Sequence, residues 1–162
     1  MTNVNILMKN FELKKSNLES KSVTTTSLTA YTVGSYKDNF NNGYGLVLVD
    51  SKGNIKFTEN NAVSVINNNL EDMSAIKSEL VAIVRSITSA YILGARELTI
   101  VYNCDEAVQW LTCTYVKSDF SMNYKAILNY YSQLMNITFK KNNDSNKYFK
   151  LAYDLSRSSL WN

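Results

Sequence analysis

Apolar and polar positions alternate from Leu28 to Tyr36 in a segment rich in β-formers, which predicts a strand. Lys37 to Asn42 reads as a polar turn. Gly43-Tyr44-Gly45 then leads into Leu46-Val47-Leu48-Val49, an unbroken apolar run that predicts a strand buried on both faces. Asp50 to Asn54 is a hairpin turn, because Gly53 supplies the positive φ that such turns need. Ile55 to Glu59 completes a third antiparallel strand, and the Asn-rich stretch 60–72 reads as a loop.

From Met73 to Leu93 the period becomes helical. Ile76, Leu80, Ile83, Val84, Ile87 and Tyr91 mark one side, and Gly94 stands where a C-cap glycine belongs. Glu97 to Tyr102 is a buried strand, followed by a short helix Glu106 to Leu111 that Asp105 is placed to cap. A helix Tyr124 to Met135, a strand Asn136 to Lys140 and a polar turn 141–146 follow. The terminal helix, Lys147 to Leu160, has Leu151, Leu155 and Leu160 on its inner side. This order predicts one α/β domain over 28–162: a five-stranded mixed sheet, three antiparallel strands then crossovers, flanked by helices. Residues 1–27 read as an N-terminal extension and linker. They are apolar at Ile6, Leu7, Phe11, Leu13 and Leu18, rich in Ser and Thr from Ser20 to Ser27, and too short for a second domain.

Composition narrows the chemistry. Apolar residues at 45% and charged residues at 19% describe a globular protein, and no apolar run approaches the roughly 18 residues of a membrane span. No secretory signal is recognisable at the N-terminus, so a cytoplasmic location is expected, with no membrane partner. The chain has no histidine, which excludes His-based triads, His metal ligands and imidazole acid–base chemistry. Cys104 and Cys113 fall short of a tetrahedral zinc site and read as reduced thiols.

Five local patterns in order resemble the type 1 ribonuclease H family, in particular its clostridial branch. Ala30-Tyr31-Thr32-Val33-Gly34-Ser35-Tyr36 is similar to the family's first strand, Ala-Tyr-x-Asp-Gly-Ser-Tyr. Gly43-Tyr44-Gly45 resembles the Gly-Tyr-Gly of its second strand, and Ser78-Glu79-Leu80 its catalytic glutamate segment. Thr99 to Asn103, with Glu106 to Trp110 behind it, resembles the strand ending in Tyr-x-Asp and the helix that follows. Lys147-Tyr148 through Ala152-Tyr153-Asp154-Leu155 is similar to the last helix. The resemblance implies a ribonuclease H-like fold and four carboxylates holding two divalent ions roughly 4 Å apart. It places those carboxylates at Val33, Glu79, Asn103 and Tyr153, so one acid of four remains. A second register of the last helix puts Lys150 at the fourth position, and a mobile histidine of the family falls at Asn143.

The expectation is therefore a catalytically inactive ribonuclease H-like protein, with no cofactor and no catalytic or metal-binding residue. Asp38, Asp50, Asp105 and Asp154 are the acids available to rebuild a metal site. The role expected first is protein–protein interaction, as scaffold, inhibitor or subunit of a complex, with Tyr115, Phe120, Tyr124, Tyr130 and Tyr131 as an aromatic contact surface. The alternative is binding of an RNA–DNA hybrid or other duplex without cleavage. It would use Ser35, Tyr36 and Lys37 near the first strand's end with Lys140, Lys141, Lys147 and Lys150 of the basic C-terminal segment. The remaining reading is residual metal-dependent ribonuclease H activity on relocated acids.

Overall fold

A computed structural model describes residues 26–38, 41–63, 74–112 and 119–161. Five strands, β1 (Ser27–Asp38), β2 (Asn41–Asp50), β3 (Ile55–Val63), β4 (Glu97–Tyr102) and β5 (Asn136–Lys141), form one sheet in the order β3-β2-β1-β4-β5. The first three are an antiparallel meander, and β4 and β5 add in parallel beside β1. Parallel neighbours need crossovers. Helix α1 (Ser74–Ile92) makes the first, and α2 (Asp105–Thr112) with α3 (Asp119–Ser132) the second. Helix α4 (Lys147–Ser158) and a 3-10 turn, Ser159–Trp161, follow β5.

This is the expected element order, with longer strands. Lys37 and Asp38 continue β1 and β2 opens at Asn41, so most of the expected turn 37–42 is strand. Asn60 to Val63 likewise continue β3 into the expected loop. Main-chain groups make the ladders Tyr36–Asn42 and Gly43–Ala62, so polar side chains do not end them. The short helix begins at Asp105, which is its first residue rather than a cap outside it. The third helix starts five residues earlier than its apolar period indicates, at Asp119.

Alternation divides the sheet between two cores. Leu28 and Ala30 of β1 and Tyr44, Leu46 and Leu48 of β2 pack with Leu80, Ile83 and Ile87 of α1 and with Leu128 and Tyr131 of α3. Val33, Val47 and Val49 turn the other way and meet Ala152 of α4. Both faces of β2 are thus buried, as its unbroken apolar run predicts. Helix α1 ends as expected at Gly94, with φ 85°: the amide of Ala95 reaches Ala90 O and that of Gly94 reaches Tyr91 O. These are the two bonds of a Schellman cap.

Helix α4 lies unusually close to β2. A Cβ on Gly45 would stand 2.1 Å from Ala152 O and 2.7 Å from Ser156 N, and one on Gly43 would meet Ser159 Oγ. The glycines of the Gly-Tyr-Gly motif are there for this approach. It also adds to the expected inner face of the helix, where Leu151 and Leu155 pack against the cluster of Val33, Val47 and Val49. The gap admits only the small Ala152 and Ser156, while Leu151 and Leu155 flank it, half-buried; Leu160 is buried as expected. On the opposite face, Arg85 makes a forked ion pair with Glu59, at 2.8 and 2.9 Å, and Glu59 also accepts from Tyr44 Oη at 2.5 Å. No helix among the described residues is long and apolar enough to cross a membrane.

Gly45→Ala is expected to lower unfolding stability by roughly 1–3 kcal/mol in urea titration, because its obstacle is main chain and cannot rotate away. Arg85→Met should lower stability in the same measurement by no more than the roughly 3–5 kcal/mol of a fully buried pair, since it leaves the partly buried Glu59 without this cation.

Candidate functional site

Of the four positions singled out by the sequence motifs, Glu79 and Asn103 meet at the carboxyl end of β4, and Val33 lies on the neighbouring strand β1. Tyr31 lies opposite Val101 in the parallel pair, and continuing that register by two residues puts Val33 level with Asn103. Val33 is 2% exposed, sealed by Val47, Val49 and Ala152 as a dry apolar plug beneath α4. Tyr153, next to Ala152 in the helix, turns outward and is 46% exposed.

Glu79, in the second turn of α1, is 2% exposed. Its Oε1 accepts the main-chain amide of Asn103 at 2.6 Å, and the amide of Cys104 also donates to the carboxylate. The side chain thus ties α1 to the turn that leaves β4. Burial pushes its carboxyl from an ordinary 4.5 up to about 7; the two amides and the Lys141 charge pull the other way, and Asp105 adds to the rise.

Lys141, at the end of β5, reaches over this turn. Its Nζ donates to Asn103 O at 2.5 Å, pairs with Asp105 at 3.1 Å and lies 5.6 Å from the centre of the Tyr102 ring. An ammonium group therefore stands among the oxygens at the carboxyl end of β4. Asp105 is taken up by that contact. Asp50 lies opposite Leu28, five residues down β1 from Val33 and so roughly 17 Å away. It holds its own hairpin, accepting from the amides of Lys52 and Asn54 at 2.9 Å and pairing with Lys56 at 3.3 Å. The Asn54 amide bond is the main reason its carboxyl stays near 2. Asp154 pairs with Lys150 at 2.9 Å on the outer face of α4, and Asp38 closes β1. Among the described residues, no three His, Cys, Asp or Glu side chains come together as a metal-holding group.

No protein-family model and no curated protein matches this sequence. Solved structures do. The N-terminal ribonuclease H domain of a Mycobacterium tuberculosis protein superposes with a TM-score of 0.68 at 13% identity, over 84% of this chain and 94% of that one. Ribonuclease H1 of the archaeon Halobacterium salinarum gives 0.63 at 16% identity, covering 83% and 97%. A compost-derived ribonuclease H1, solved in complex with an RNA/DNA hybrid, gives 0.60 at 19%, covering 82% and 96%. The chain has the ribonuclease H fold.

On this ribonuclease H fold the residues present do not fit a pair of divalent cations. Magnesium in such sites binds chiefly through carboxylates. At the positions the resemblance implies, the first is a sealed valine, the third a neutral amide, and the fourth a phenol at Tyr153 or, in the second register, the ammonium of Lys150. The one carboxylate faces inward onto two amides, and Lys141 brings a positive charge beside it.

The residues expected to touch nucleic acid differ in their exposure. Ser35 is corrected: it is 6% exposed and shares a 2.5 Å hydrogen bond with Ser156, because its alternation sends it under α4. Tyr36, Lys37, Lys140, Lys147 and Lys150 are exposed, whereas Lys141 is held at the β4 turn. The aromatic group is corrected too. Tyr124 and Tyr131 are core residues, and only Tyr130 of the described members faces out; Tyr115 lies outside the described residues and the Phe120 side chain is not described. Sequence reading missed Met122 and Leu134, although the four-residue spacing Met122, Ala126, Tyr130, Leu134 is visible in it. Cys104 is a free thiol, raised by burial to about 11, and Cys113 also lies outside the described residues.

Glu79 makes a pH prediction. Its folded value lies above its unfolded one, so the native state holds the proton more tightly between about pH 4.5 and 7. Its contribution to stability is complete below that window and is lost as pH rises through it. Melting temperature should therefore decline from about pH 5 to 7 in the wild type, and Glu79→Gln should remove that part of the decline.

Proposed function

We propose that this protein is a pseudo-nuclease: a ribonuclease H fold that binds a partner and does not hydrolyse phosphodiesters. The observation that carries this reading is Val33, buried as an apolar plug where the fold's resemblance calls for a metal-binding aspartate. Asn103 and Tyr153 make the loss collective, and Lys141 supplies a positive charge that needs no metal ion. A protein partner is the first reading. Its support is the outer face of α3, where Met122, Ala126 and Tyr130 recur every four residues and continue to Leu134 in the following turn. The described exposed residues of this segment include no charged side chain, which favours a contact surface over a solvated one. The cytoplasm remains the proposed location.

Nucleic-acid binding is the second reading. A structure sharing this fold was solved with an RNA/DNA hybrid, and Lys140, Lys147 and Lys150 are exposed.

Incubation of an RNA–DNA hybrid with magnesium or manganese should yield no cleavage, and Val33→Asp alone should not create any. Cleavage by the wild type that disappears in Glu79→Gln would show the chain to be an enzyme. For the protein reading, a partner retained at unit stoichiometry should be lost when Met122 and Tyr130 are both replaced by Asp. Retention unchanged by that pair of substitutions would remove α3 from the argument.

A further inference from the structure

Helix α4 packs on β1, β2 and β3, and its outer side carries a mixed basic and aromatic surface. Lys150, Tyr153 and Arg157 are arranged along it over about 10 Å, and Lys147, about 120° around the axis from Tyr153, lies 4.9 Å from the centre of the Tyr148 ring. Lys150 and Arg157 stand three residues before and four after Tyr153, so both neighbour its ring on the same side of the helix. Tyr153 is a large aromatic with nearly half its surface open. Its flank of α4 is fixed by contacts on the opposite one, where Asn60 of β3 donates to Leu155 O and to Ser158 Oγ. Tyr153 therefore projects on the side away from β3, towards β4 and β5.

Lys140 joins the same surface. It pairs in register with Val101, which pairs with Tyr31, and Tyr31 packs its ring against Tyr148 of α4 at 5.4 Å. Two strand spacings place Lys140 about 10 Å from Tyr31, exposed on the α4 side of the sheet. Asp144, Asp154 and Glu97 are the acids on this side. Asp154 is bound to Lys150 in an exposed pair, which holds weakly enough for a phosphate to replace it.

We propose that this face binds single-stranded nucleic acid, with phosphates on Lys140, Lys147, Lys150 and Arg157 and a base stacked on Tyr153. The proposal rests on the nucleic-acid reading above and narrows it. Cations alone would accept any polyanion. An outward aromatic ring between two of them selects unstacked bases, which a duplex does not offer. In the first of the two registers that the resemblance allows, Tyr153 also stands at the place of the fourth acid.

Fluorescence anisotropy with labelled 15-mers of dT and rU, beside an RNA–DNA hybrid and a DNA duplex of equal length, tests this. The single strands should bind most tightly. With about four phosphates engaged, raising salt from 50 to 200 mM should weaken them by about 50-fold. Tyr153→Ala should weaken single-strand binding by about 10-fold while Tyr153→Phe keeps it, and Lys150→Glu with Arg157→Glu should weaken it further. All of these residues are on the surface, and circular dichroism checks that each variant is folded. A hybrid bound tightly with single strands ignored would overturn this inference and leave the nucleic-acid reading standing. No binding to any of the four would overturn both. Single-strand binding indifferent to Tyr153, Lys150 and Arg157 would remove α4 as the surface.

Discussion

The terminal helix lies against main chain rather than side chains, and that close approach organises much of the molecule. Gly43 and Gly45 remove the Cβ atoms that would hold α4 away, and Ala152 and Ser156 present a small surface in return. Van der Waals contact at this range seals Val33, Val47 and Val49 from water, draws Ser35 into a buried hydrogen bond with Ser156, and turns Tyr153 outward. The character of the whole site, dry beneath the helix and aromatic above it, follows from how near two stretches of backbone are allowed to come.

Glu79 illustrates how a fold can hold an acid in its interior. A carboxylate at this position is buried enough that only local hydrogen bonding can justify it energetically. The amides of Asn103 and Cys104 provide that bonding, and Lys141 supplies charge from the neighbouring strand. The acid fastens α1 to the end of β4. Its presence in the sequence is therefore explained without reference to a metal ion.

Much of the architecture was legible because periodicity is a strong signal. The shift from a period of two in β1 to three-and-four in α1, with Gly53 and Gly94 at positive φ where turn and cap require them, gives the order of elements. Strand ends were less legible, since the main-chain ladder between Gly43 and Ala62 does not depend on which side chains it carries. Of the four motif positions, Glu79 is joined to Asn103 by a hydrogen bond and Val33 lies on the neighbouring strand, while Tyr153 faces out. What could not be read is direction and partnership. Nothing in the sequence says that Lys141 bends over the β4 turn, that Tyr124 and Tyr131 face inward while Tyr130 faces out, or that Ala152 and Ser156 make the nearest approach of α4 to the sheet. These depend on the distance between elements, which a single sequence does not carry.

The covering role of α4 has a bearing on how the chain is made. The sheet draws its five strands from residues 27 to 141, and α1 shields one face once residue 92 has been made; among the described residues, the cover of the other face comes from the segment 147 to 160. A nascent or truncated chain can thus hold a complete set of strands and still display Val33, Val47 and Val49 as a bare apolar strip, flat at its glycines and open to any neighbour. Such a strip invites association between unfinished chains. The last helix closes that strip through a short footprint of small residues, Ala152 and Ser156.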